Sequence, residues 1–111
     1  MMKTTETMLR LMIFIDETDQ YAGRNLGAAL LQKLQSEGIS GASVLRGSAG
    51  FGSHGKVHTT TILDLAASLP QIILAMDTPE KINAVIPHLE EMIGEGLLVL
   101  DEVSVVKLSK K

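Results

Sequence analysis

Residues 70–86 read PQIILAMDTPEKINAVI, and the spacing of apolar residues changes partway through them. Up to Met76 the stretch is apolar on both parities, which reads as a strand buried on two sides. Ile72 and Leu74 face one way, and Ile73 and Met76 largely the other. Pro70 suits the first strand position, where its missing N–H matters least. Beyond Asp77 the period becomes helical. Thr78 is the expected N-cap, Pro79 stands at N1, and Glu80 in the first turn favours the helix dipole. Ile82, Val85, Ile86, Leu89 and Ile93 form one apolar stripe. Pro87 cannot donate to the Asn83 carbonyl and predicts a kink. Gly94 and Gly96 end this helix.

The same strand-then-helix order occurs earlier. Leu9–Asp16, LRLMIFID, is a strand with Leu9, Leu11, Ile13 and Ile15 on one face and Met12 and Phe14 on the other. ETDQYAGRN is a polar connection. Its neighbouring acids Asp16, Glu17 and Asp19 read as a solvated turn, with an acid–base pair as the sharper alternative. A helix is predicted from Asn25 to Glu37, with Leu26, Leu30 and Leu34 spaced by four. Gly38 suits a left-handed C′ position, and Ile39 supplies the apolar contact beyond it. ASVLRG is a second strand. HTTTILDL, rich in β-branched residues, suits an extended arm. LLVLDEVSVVKL is a last long strand or a pair of strand segments.

The order β-α-β-loop-β-α-β predicts an α+β, ferredoxin-like βαββαβ sandwich, with both helices on one sheet face and a long loop between strands two and three. One domain over 1–111 is expected, with 1–7 and 109–111 as flexible ends. No repeat or linker is visible. Helices cover one face only, yet the strands are apolar on both. An uncovered apolar sheet is more than monomers usually expose, so an oligomer of closed symmetry is predicted.

Composition removes several functions. The 111 residues carry a net charge of −3 and no basic run, which argues against phosphate-backbone binding to nucleic acid. Tyr21, Phe14 and Phe51 are too few aromatics for a base-stacking platform. Without cysteine there is no thiol nucleophile, disulfide or cysteine-type zinc site. Apolar runs such as IILAM are too short to span a membrane. A cytoplasmic protein with no direct membrane insertion is expected.

Chemistry concentrates in Val44–Thr61, VLRGSAGFGSHGKVHTTT, which holds four of the ten glycines and two of the three histidines. His54 and His58 would share a face only in a helix, which Gly52 and Gly55 disfavour, so no metal site is assigned. Ser48 and Ser53 lie near histidines and Asp64, but no Gly-x-Ser-x-Gly elbow is present, so no catalytic residue is assigned. The Walker pattern fails because Val57 follows Lys56. A looser nest of backbone N–H groups with Arg46 and Lys56 could hold an anion. A surface hairpin is the plainer reading.

Three runs carry a resemblance: GISGASVLRGSAGFGSHGKVHT, SLPQIILAMDTPEKINAVIPHLEEM and EGLLVLDEVSV. Together, over about Leu9 to Leu108, the chain resembles the PII-like family of uncharacterised conserved bacterial proteins, relatives of the nitrogen-regulatory PII signalling proteins. The resemblance implies a ferredoxin-like homotrimer that is not an enzyme. It implies an adenine nucleotide or other small anionic effector, bound in an inter-subunit cleft at the base of a T-loop. That loop would act on a target such as a transporter; members encoded beside a fluoride-exporting channel make that channel one such partner. A trimer that docks through the loop without a ligand is the alternative.

Residue by residue, the correspondence is incomplete. Ser43 falls where PII proteins place a cleft threonine, and Gly50, Phe51 and Gly52 match a Gly-Phe-Gly at the loop base. Ser53 replaces the basic residue that follows, with Lys56 displaced by three positions. Ala75 stands where PII proteins carry an adenine-recognising glutamate. The glycine-lysine loop before the last strand is shortened to GEG, and Leu108 and Lys110 replace two arginines. The implied ligand-facing set is therefore Ser43, Arg46, Gly50, Phe51 and Gly52, with Lys56, His58 and Lys110.

Overall fold

The structure, a computed structural model, describes residues 2–51, 57–59 and 69–110. A four-stranded antiparallel sheet is built from β1 (Met2–Asp16), β4 (Ala42–Arg46), β7 (Pro70–Asp77) and β8 (Leu97–Ser109), in the spatial order β4-β7-β1-β8. Two helices, α1 (Leu26–Ser36) and α2 (Pro79–Met92), complete the predicted α+β sandwich. Short pairs of β2 (Gln20–Tyr21) with β3 (Arg24–Asn25), and of β5 (Ala49–Phe51) with β6 (Val57–Thr59), lie outside the main sheet.

The caps fix both helices. Asn25 caps α1 by accepting from the Ala28 N–H at 3.0 Å. Gly38, at φ +86°, ends that helix, while the Ile39 N–H returns to the Leu34 carbonyl. Thr78 caps α2 and accepts from the Lys81 N–H. The helix continues through Pro87, which sits on its exposed side.

The core lies between the helices and one sheet face. Leu11, Ile13 and Ile15 of β1 and Ile73 and Ala75 of β7 meet Leu26, Leu30 and Leu34 of α1 and Ile82, Val85 and Leu89 of α2. The opposite face follows from the register. One row across it is Leu45–Ile72–Phe14–Leu97, and the next is Ser43–Leu74–Met12–Val99. Met76 belongs to this open face with Ile72 and Leu74, not with Ile73, because side chains alternate strictly along a strand. Leu45, Met76, Leu97 and Val99 are 40–66% exposed.

Two boundaries differ from the sequence expectation. The first strand begins at Met2 rather than Leu9, because Met2–Met8 pair with Val103–Ser109 in a two-stranded ribbon beyond the sheet. Thr4, Thr5 and Thr7 suit that extended pairing but give it no apolar face. The polar connection after β1 also contains a hairpin turn, with positive φ at both Ala22 and Gly23.

Candidate functional site

Arg46, one of the residues expected from sequence to face a ligand, lies where β1 ends, β4 ends and β7 begins. Across the sheet, Arg46 is opposite Gln71, and Gln71 is opposite Ile15. Glu17, just past β1, joins these three segments. Its carboxylate receives Arg46 Nε on Oε2 at 2.7 Å and Arg46 Nη2 on Oε1 at 3.2 Å. Oε1 also accepts the Leu69 N–H at 3.1 Å. The Glu17 N–H donates to the Leu69 carbonyl at 2.9 Å, and the Gly47 N–H donates to the Pro70 carbonyl at 2.8 Å. Asn25 Nδ2 donates to the Glu17 carbonyl, which ties this junction to the cap of α1.

Arg46 is the main reason the Glu17 carboxyl is held below the usual carboxylate range. Partial burial opposes this, and the Leu69 N–H adds to it. Glycine is needed at the same junction: a Cβ on Gly47 would lie 2.6 Å from Pro70 Cγ, and one on Gly50 would lie 3.1 Å from it. The backbone that leaves β4 therefore runs directly against the proline that opens β7.

The turn after β1 is built by its acids rather than left to solvent. The Asp16 N–H donates to Asp19 Oδ2, and the Asp19 carbonyl accepts the Leu26 N–H that opens α1. Among the described residues, two buried oxygens have no hydrogen-bond partner, Asp16 Oδ1 and Gln71 Oε1. The Gln71 amide lies close over Gly27, where a Cβ would sit 2.7 Å from Oε1.

A buried carboxylate holds the opposite end of the sheet. Asp77 is 4% exposed and accepts from Ser40 N and Oγ at 2.9 and 3.0 Å and from Thr78 N at 2.7 Å. Burial pushes its pKa up, but the Ser40 and Thr78 donors and the Lys81 charge outweigh burial, and the net shift is downward. With every donor aimed at it, Asp77 joins the turn before β4 to the turn before α2.

Within one chain the expected ligand residues do not all gather. Ser43 is exposed on the open sheet face, whereas Arg46 lies on the opposite parity at the loop base. Gly50 of β5 is opposite His58 of β6, and Phe51 beside it is 74% exposed. Gly52 and Lys56 lie outside the described residues, as do Ser53, His54 and Asp64. Lys110 follows the Met2–Ser109 pair at the tip of the ribbon. Thirteen residue steps along β1 separate Met2 from Ile15, roughly 40 Å of strand. Ala75 is in the core, opposite Leu11 and Ala42. Among the described residues no group of three or more His, Cys, Asp or Glu is placed to hold a metal ion, and no helix is long and apolar enough to cross a membrane. Sequence reasoning missed Glu17 and Leu69. Glu17 looked like one acid of a solvated turn, and its partners lie 29 and 52 residues away.

The sequence profile of the DUF190 family, described as "Uncharacterized ACR", matches residues 8–105. The chain is 38% identical over 98 residues to a UPF0166 protein of Methanocaldococcus jannaschii, covering 87% of this chain and 90% of that one. It is 33% identical over 100 residues to a UPF0166 protein of Aquifex aeolicus, covering 88% and 92%. Among solved structures it is similar to CPII, a nitrogen regulatory PII-like protein from Thiomonas intermedia K12 bound to ADP, AMP and bicarbonate. That similarity has a TM-score of 0.64 at 16% identity, over 92% of this chain and 91% of that one. A PII-like signalling protein from Thermus thermophilus superposes with a TM-score of 0.62 at 13% identity, over 91% and 90%. The resemblance carried by the three sequence runs and the ferredoxin-like fold are thereby established.

Proposed function

The chain belongs to the DUF190 family, and from that premise we propose that it is a non-catalytic, PII-like regulatory protein acting as a homotrimer. It senses an adenine nucleotide or related small anion in clefts between subunits. One observation carries this reading: Ser43 and Leu45 point onto the open apolar face, while the adjacent Arg46 meets Glu17 at the loop base. A second copy that covers the open face therefore borders the loop base, and a ligand held there touches both copies. Lys110 joins such a site only from a neighbouring chain. CPII, which shares the fold, was solved with ADP, AMP and bicarbonate, and these define the ligands to try first.

Arg46, Gly50, Phe51 and the segment through Gly52 and Lys56 form the loop side of the proposed site, with His58 on the returning strand. Occupancy would alter the loop and, through it, contact with a target. The proposal includes a cytoplasmic setting, expected from the short apolar runs, and a transporter or fluoride-channel target, as the family resemblance implies. Calorimetry with AMP, ADP and ATP, each with and without bicarbonate, tests ligand sensing, and light scattering tests assembly. Saturable heat and a mass of three chains are expected; a mass of one chain overturns the assembly. A ligand-independent trimer that docks through its loop is the second reading, favoured because Arg46 already has a carboxylate partner. Three chains with no heat from any nucleotide would select it.

A further inference from the structure

Arg46 does not wait at the loop base as an unfilled cation. Its Nε and Nη2 atoms already grip the two oxygens of Glu17. This fork-on-carboxylate geometry is the one with which arginine recognises external carboxylates and phosphates. The same carboxylate also holds the Leu69 N–H. Three segments distant in sequence thus converge on one side chain: the end of β1, the end of β4 and the start of β7. The Glu17 side chain is 21% exposed and so only partly buried, while Arg46 is 58% exposed and reachable from solvent.

We propose that Glu17 is an internal occupant of the anion seat at Arg46, which an external oxyanion must displace, and that this exchange loosens Leu69 from the end of β1. The inference rests on the proposed anion-sensing role of this site. It supplies the physical link that role needs, since one carboxylate both competes with the ligand and fastens the returning strand. In the resting protein the Glu17 oxygens satisfy Arg46 and the Leu69 amide together. When an anion takes the guanidinium fork, Glu17 loses the partner that holds its charge in place. The Leu69 N–H then depends on a carboxylate that is free to turn towards solvent. Binding energy at Arg46 thereby becomes a change in how β7 is anchored. A neutral amide at position 17 keeps an oxygen for the Leu69 N–H but ceases to compete for Arg46.

Two measurements on the full chain test this. The first is calorimetric titration with ADP, AMP and inorganic phosphate of the wild type, Glu17→Gln and Arg46→Gln. Glu17→Gln should bind anions about threefold more tightly, the scale set by one solvent-accessible ion pair, and Arg46→Gln should lose them. Equal or weaker binding by Glu17→Gln overturns the competition, because a purely structural Glu17 would weaken the site when altered. The second is hydrogen exchange at the Leu69 amide, which needs no ligand. Glu17→Ala should exchange at least about tenfold faster there, while Ile73 in the core stays protected. Unchanged Leu69 exchange overturns the anchoring role. If no variant binds any anion but Leu69 exchange accelerates, the anion reading of the site fails and the displacement with it, while the anchoring role of Glu17 stands.

Discussion

At the scale of single residues, the loop base is controlled by contacts that tolerate little change. Gly47 is the clearest case. Its missing Cβ leaves room for the Pro70 ring, and a methyl there would meet Pro70 Cγ at 2.6 Å. The ring cannot swing away as a flexible side chain would, so the backbone must move. Gly47→Ala should destabilise the fold by about 1–3 kcal/mol, the scale of overpacking, read as a lower urea midpoint. An unchanged midpoint would mean that the two strand ends can part without cost. Asp77 makes a different claim. Its carboxyl is held below its ordinary value by donors from Ser40 and Thr78 and by Lys81, against the opposing effect of burial. A carboxyl with a depressed folded value adds stability above its unfolded value, near 3.9. It loses that contribution as pH falls towards the folded value. Asp77→Asn should therefore cost about 1–3 kcal/mol near neutral pH, because an amide hydrogen now faces a donor. The gap in melting temperature between wild type and variant should narrow as pH falls below about 4. A gap constant from pH 7 to pH 2 would remove the ionised carboxylate from the account.

At the scale of elements, what was legible in the sequence is what local chemistry decides. Asn25 and Gly38 bound α1, and Thr78 with Pro79 opens α2, because caps act within one turn. The buried faces of β1 and β7 were legible because alternation is local too, apart from Met76. Contacts between distant residues were not. The threonines of Met2–Met8 tolerate a strand but show no apolar alternation that announces one; the opposite strand, Val103–Ser109, makes it one. Ala22-Gly23 lacks the asparagine or aspartate that usually marks such a turn. Glu17 is an ordinary turn acid until Arg46 and Leu69 are brought to it. Within α2, Pro87 remains a local conflict that packing has overridden, since it removes a donor from an exposed helix interior. Pro87→Ala should restore the bond to the Asn83 carbonyl and stabilise the protein by about 1–3 kcal/mol, less whatever the freer unfolded chain takes back. A higher melting temperature is expected. A lower one would show that the proline is needed for the path of α2 over the core.

At the scale of the whole molecule, the decisive feature is the sheet face that neither α1 nor α2 covers, a face left open among the described residues. Leu45, Ile72, Phe14 and Leu97 lie across it in one row, with Leu74, Met12 and Val99 in the next. Arg10 and Asp101 lie directly opposite each other beside these rows and form a two-bond ion pair, so the face also carries a fixed polar mark. Association that covers the rows would remove several large side chains from water, each contributing up to roughly 1.5–3 kcal/mol when fully buried. A charge at the centre of the face separates this from a monomer with an oily surface. Leu74→Glu leaves the helix-side core untouched, because position 74 points away from it. In a monomer the new carboxylate meets water and costs little. Between subunits it would be buried without a partner, at a penalty of several kcal/mol per copy. Light scattering should therefore give three chains for the wild type and a smaller mass for Leu74→Glu, with the circular dichroism of the folded chain preserved. A variant that keeps the mass of three chains would place the subunit contact somewhere other than this face. The cleft proposed at the loop base would then lose its support, because the proposed ligand site and the proposed subunit contact meet along β4, where Ser43 and Leu45 face the open sheet and Arg46 turns towards Glu17.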